Sequence, residues 1–161
     1  MTILSSARMA TVPENSPPAG DLPLLLLAAA ADVTAAVEAG VRAAGFTDVR
    51  PAHGFAFVRM APGGATVGEI AEHLGVTKQA ASQLVDELVT KGYAQRNPHP
   101  RDARAKLITL TERGWACTRA ADAALAEFAG RWSGAIGPRA LGQLRDALAL
   151  VVTPGRVRPT W

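Results

Sequence analysis

Two short helical segments that meet at Gly75-Val76-Thr77 constrain this chain more than any other feature. Upstream, Thr66-Val67-Gly68-Glu69 forms a capping box: the Thr66 hydroxyl accepts the Glu69 amide and the Glu69 carboxylate reaches back, so a helix starts there and runs to Leu74. Downstream, Thr77 is a suitable N-cap, and Ala80, Ala81, Leu84, Val85, Leu88 and Val89 form one apolar stripe ending at Gly92. Gly75 permits the turn, Ala71 is small where the helices would cross, and Val76 is placed to plug between them. The pair has the form of a helix-turn-helix.

A basic hairpin comes directly after this pair. Tyr93–Arg96 and Lys106–Leu110 read as short strands, and Asn97, Pro98 and Pro100 suit the loop between them. The whole chain carries a formal charge of only +3, yet Lys91–Lys106 holds five cations against the single anion Asp102. That density suits a polyanion. In a winged helix-turn-helix the second helix enters the major groove, which would present Lys78, Gln79, Ser82 and Gln83 to base edges. Thr66 and Thr77 at the helix starts, with Arg96, Arg101 and Arg104 from the wing, complete the expected contacts to double-stranded DNA. Arg101 and Arg104 are best placed to meet the backbone or a narrow minor groove. Asp102 is expected to brace Arg104 or the loop amides, because a carboxylate aimed at phosphates would repel them.

The remainder reads as helix. The composition is 48% hydrophobic and 5% aromatic, so any core is built from Ala, Leu and Val, which suit packed helices. Leu26, Val33, Val37 and Val41 mark a helix over 22–44, and Pro51 opens a short one that ends near Met60. Thr111 caps a long helix carrying Trp115, Cys117, Leu125, Phe128 and Trp132, and Gly137-Pro138 opens the last, with Leu141, Leu144, Leu148 and Val151 on one side. The expected fold is therefore mainly α with a small β-hairpin wing. A winged helix-turn-helix core over 51–110 sits between dimerisation helices at 22–44 and 111–152, inside one domain of 21–152, with loose tails at 1–20 and 153–161. The first and the last two helices are too apolar for a lone chain of 161 residues to cover, so a homodimer is expected.

Several other classes fit poorly. Leu22–Ala31 has the look of a signal-peptide core, but only Arg8 precedes it as a cation and the apolar pattern continues through Val41. By itself it falls short of the roughly 20 residues of a membrane span. A cytoplasmic protein with no membrane partner is expected. Cys117 is the sole cysteine, and His53, His73 and His99 lack ligand-like spacing, so neither a disulfide framework, a metal nor any cofactor is anticipated. The chain shows no nucleophile with a base, no phosphate-cradling loop and no paired carboxylates; Asp86 and Glu87 are adjacent on a helix and point apart. It does not read as an enzyme.

From Thr66 through Asp102-Ala103-Arg104 to Leu110-Thr111-Glu112-Arg113-Gly114 the chain strongly resembles the MarR family of bacterial regulators, and the element order matches over roughly 22–152. The resemblance implies a transcription repressor that is an obligate dimer with intertwined terminal helices, a near-palindromic operator, and relief by a small-molecule effector bound between the dimer helices and the DNA-binding lobe. His53, Phe57 and Trp115, with Phe55, are candidates for lining such a pocket, since aromatic walls with one titratable group are common in small-molecule sites. The readings that compete are a partner-binding scaffold that keeps the fold without an operator, and a thiol sensor acting through Cys117. Family members that sense peroxide resemble one another in a first-helix cysteine, whereas Cys117 falls in the fifth helix.

Overall fold

The computed structural model describes residues 19–102 and 104–152; the tails expected at 1–20 and 153–161 fall outside these residues except for Ala19 and Gly20. With Asp21 those two form a 3-10 turn that leads into the first helix.

Six helices and one hairpin follow in order. They are α1 (Leu22–Ala43), α2 (Pro51–Met60), α3 (Val67–Leu74), α4 (Lys78–Thr90), β1 (Ala94–Pro98), β2 (Lys106–Leu110), α5 (Glu112–Ile136) and α6 (Pro138–Val151). The boundaries obey local chemistry. Thr66, Thr77 and Thr111 each accept the backbone amide three residues on, at 3.3, 3.2 and 3.2 Å, satisfying donors that a helix start leaves open. Pro51 and Pro138 stand where a missing N–H costs nothing. Gly75, at φ +66°, takes the left-handed conformation that ends α3, and it lets the Val76 amide return to the Ala71 carbonyl at 3.0 Å.

The strands are antiparallel, with Ala94 opposite Leu110 and Pro98 opposite Lys106. Strand β1 begins one residue later than expected and ends two later. Tyr93 is held back by α4, its amide on the Leu88 carbonyl, while Pro98 is tolerated as the last residue of an edge strand. Ala65 makes a single isolated bridge to β2: Ala65 and Ile108 exchange both backbone hydrogen bonds, at 2.9 and 2.8 Å.

The core lies beneath this lobe, where Phe57, Met60, Ile70, Leu74, Ala81, Val85, Leu88, Tyr93 and Ile108 are buried. Two sequence expectations fail locally. Val76 does not plug the helix crossing but is 43% exposed, whereas Ala71, Leu74 and Ala81 are buried. Ala80 faces solvent, leaving the α4 stripe to Ala81, Leu84, Val85, Leu88 and Val89.

Beyond the lobe, α1 packs along α5, and α6 folds back on α5. Burial there is sparse. Leu24 and Leu27 on α1, Trp115 and Leu125 on α5 and Leu150 and Val151 on α6 are all exposed. Helix α1 runs well past the apolar block Leu22–Ala31, and over its 22 residues it is, by length and composition alone, long and apolar enough to cross a membrane. In its C-terminal half one side meets the core, with Val41 buried and Val37 packed against it.

Candidate DNA-binding face and adjoining cavity

Helix α4 is amphipathic by construction. Its inner stripe is buried, so Lys78, Gln79 and Gln83 are exposed on its first half and Ser82 is half-buried beside them. Thr77 caps this end, where the helix dipole concentrates partial positive charge. Thr66 is more committed: it donates to Glu69 Oε2 at 2.9 Å and its amide reaches the same oxygen at 2.7 Å. Those Thr66 contacts, with Arg59 at 2.6 Å, hold the Glu69 carboxyl below the ordinary range.

The wing stands beside α4. Asp102 Oδ1 accepts the Arg104 amide at 2.9 Å and the Asp102 carbonyl accepts the Ala105 amide at 3.0 Å, so the carboxylate shapes the turn. Asn97 bridges the strands by donating to Thr109 Oγ1 at 2.8 Å. Arg101 and Arg104 are exposed, and the ion pairs among the described residues include neither. Arg96 differs from them. Its guanidinium is paired with Asp86 on α4, which ties the wing to the helix. The neighbouring Glu87 points elsewhere, as adjacent helical residues must.

Glu87 gathers a network that sequence reading did not find. It takes Lys91 at 2.7 Å, four residues on, and it also pairs with Arg50 and approaches His53 Nε2 at 3.4 Å. The Lys91 hydrogen bond is the largest of the influences that draw its carboxyl down to about 2. His53 is wholly buried, its Nδ1 accepting the Arg50 amide at 3.1 Å, and burial holds its pKa below the ordinary value. Lys91 Nζ also reaches the Asp48 carbonyl at 2.6 Å. The segment 48–53 is thus fastened to the second half of α4. The one local signal was the Glu87/Lys91 spacing; the other partners lie more than thirty residues away.

Against that segment lies a cavity of about 230 Å³, bounded by α1, α2 and α5. Phe55 and Phe57 line it, whereas His53 and Trp115 do not: His53 faces α4 instead, and Trp115 is 40% exposed on α5. Most of the wall comes from residues that read only as helix stripes, among them Val33, Val37 and Val41 of α1 and Ala121 and Leu125 of α5. Cys117 is on the wall too. Burial pushes its thiol up to about 11, far from the thiolate a redox sensor needs.

A sequence profile described as the MarR family matches residues 55–105. An uncharacterised protein of Mycobacterium tuberculosis is 31% identical over 87 residues, 54% of this chain and 61% of the relative, so the chain spans less than two thirds of the curated relatives it matches. Among solved structures, a MarR-family transcriptional regulator from Rhodococcus sp. RHA1 is 28% identical, with a TM-score of 0.66 covering 88% of this chain and all of that one. CouR from Rhodococcus jostii RHA1, solved bound to p-coumaroyl-CoA, is 26% identical, with a TM-score of 0.63 covering 89% of this chain and all of that one. With its winged helix-turn-helix, its terminal helices and the profile match across residues 55–105, this chain has the fold of MarR-family transcriptional regulators.

Proposed function

We propose that the protein is a cytoplasmic, sequence-specific DNA-binding repressor, active as a homodimer and released from its operator by a small molecule held in the cavity between α1, α2 and α5. One observation carries the DNA reading. The exposed polar face of α4 stands next to a wing whose Arg101 and Arg104 are exposed and outside the ion pairs among the described residues. Gln79 and Gln83 are suited to adenine and Lys78 to guanine, while the two arginines are suited to phosphate or a narrow minor groove. The exposed leucines and valines on α1 and α6 support a second copy, which would set two α4 helices about 34 Å apart on a near-palindromic site.

The cavity supports effector control through its position. Arg50 lies on its wall and pairs with Glu87 of α4, so a ligand that moves the 48–53 segment acts on the helix that reads DNA. Among the described residues nothing in the site has the constellation of an enzyme's catalytic groups, and the raised thiol of Cys117 favours a small-molecule regulator over a peroxide sensor.

The test is a salt titration of affinity for the protein's own upstream intergenic DNA against an unrelated duplex. A preference of about 10³ or more is expected, with Gln79→Ala lowering selectivity and Arg101→Ala lowering overall affinity and the salt slope by about one phosphate contact. If both arginine-to-alanine changes in the wing tip leave binding and its salt dependence untouched, the operator reading is lost and a scaffold that binds another protein replaces it.

A further inference from the structure

The wall of the cavity is unevenly charged, and this narrows what it would hold. An apolar cavity of about 150 Å³ takes up benzene, so about 230 Å³ has room for a two-ring aromatic body. The polar wall residues are Thr34, Glu38, Arg50, Thr118 and Asp122. Thr34 Oγ1 donates to the Ala30 carbonyl at 2.9 Å and Thr118 Oγ1 to the Gly114 carbonyl at 3.0 Å, so both hydroxyl protons are engaged within their own helices. Arg50 is paired with Glu87. Glu38 on α1, half-buried, and Asp122 on α5, exposed, belong to no ion pair among the described residues. Among those residues the wall therefore offers two uncommitted carboxylates and no uncommitted cation, next to the rings of Phe55 and Phe57.

We infer that the cavity takes a ligand with an apolar aromatic body and a cationic nitrogen, the body among the valines and phenylalanines and the nitrogen toward Glu38 and Asp122. A carboxylate ligand would meet two like charges, with the only guanidinium on the described wall already engaged. A cation meets opposite charge and aromatic faces that favour it. This rests on the reading of the cavity as the effector site and names the chemical class that the site would select.

The experiment uses the full chain and three probes with one body: naphthylmethyl-trimethylammonium, naphthaleneacetate and naphthalenemethanol. Each is titrated calorimetrically at low salt into wild type and into the isosteric Glu38→Gln/Asp122→Asn variant, and release from the upstream DNA is followed in parallel. The cation is expected to bind about fivefold tighter than the alcohol, with the acid weakest. The double variant should abolish that preference while holding the alcohol's affinity within about twofold, as expected when only a charge term is removed. The inference is overturned if the acid matches or exceeds the cation, if the preference survives the double substitution, or if none of the three binds. An acid that binds and releases DNA would overturn the charge class alone and leave the effector site standing. A cation that binds with the expected preference yet never releases DNA would uphold the ligand class and remove the effector role.

Discussion

Gly114 sits in the first turn of α5, and replacing it with alanine sets two effects against each other. In an open helix the change would stabilise by up to about 1 kcal/mol, because glycine has more backbone freedom to lose. Here a Cβ would run into the Tyr93 carbonyl oxygen and come within 3.2 Å of Leu110 Cδ2. That carbonyl accepts the Thr111 amide at 3.0 Å, Thr111 caps α5 through the Gly114 amide, and Tyr93 is fully buried, so none of these groups can retreat freely. Overpacking of this kind costs about 1–3 kcal/mol, and disturbing the cap costs about 1 kcal/mol more. Net of the helical gain, Gly114→Ala should destabilise by about 2 kcal/mol, which for a chain of this size lowers Tm by roughly 4–8 °C. Gly68→Ala is the internal control, since its Cβ would meet only Thr66 Oγ1 at 3.9 Å in the first turn of α3. It should be neutral or stabilising by up to about 0.5 kcal/mol. Thermal unfolding at several protein concentrations, together with urea midpoints, measures both. Equal stability of the two variants would refute the claim that the close approach of α5 to the wing base sets the cost.

Other expectations rest on the same contacts. His53 is held neutral by burial and Glu87 ionised down to about 2, so the unfolded chain binds more protons than the fold as pH falls. Stability should be full above the ordinary histidine pKa, decline as pH drops below it, and decline further below the ordinary glutamate value; a urea midpoint higher at pH 5.5 than at pH 7.5 would contradict this. Cys117, buried with its thiol pushed up to about 11, should react with a disulfide reagent in the native state at least about a hundredfold more slowly than in urea. Fast native labelling would reopen the thiol-sensor reading. Arg96→Ala should weaken DNA binding without changing its salt slope, because Arg96 is tied to Asp86 and acts by positioning the wing. A slope reduced by about one would instead place Arg96 on a phosphate.

The elements were legible because their signals are local. Thr66, Thr77 and Thr111 cap within three residues, Gly75 and Gly92 end helices, and Pro51 and Pro138 begin them, so boundaries fell within a few residues of the structure. The polar face of α4 was legible for the same reason: a helical period with one apolar stripe leaves Lys78, Gln79 and Gln83 outside. The wing turn at Asp102 needs only its own two following amides.

The tertiary structure decided which of these side chains are free. Arg96 and Arg101 look alike in sequence, but packing sets Arg96 against Asp86 and leaves Arg101 outside. His53 looked like a pocket residue because it stands beside phenylalanines in the chain, yet on α2 it turns toward Glu87 of α4 while Phe55 and Phe57 meet the cavity. That cavity exists only where the stripes of α1 and α5 fail to close over α2. Local order along the chain determined the helices, caps and charge density of this protein, because those depend on residues within one turn. Its ion pairs, buried titratable groups and cavity were decided by contacts between elements, which no periodicity encodes.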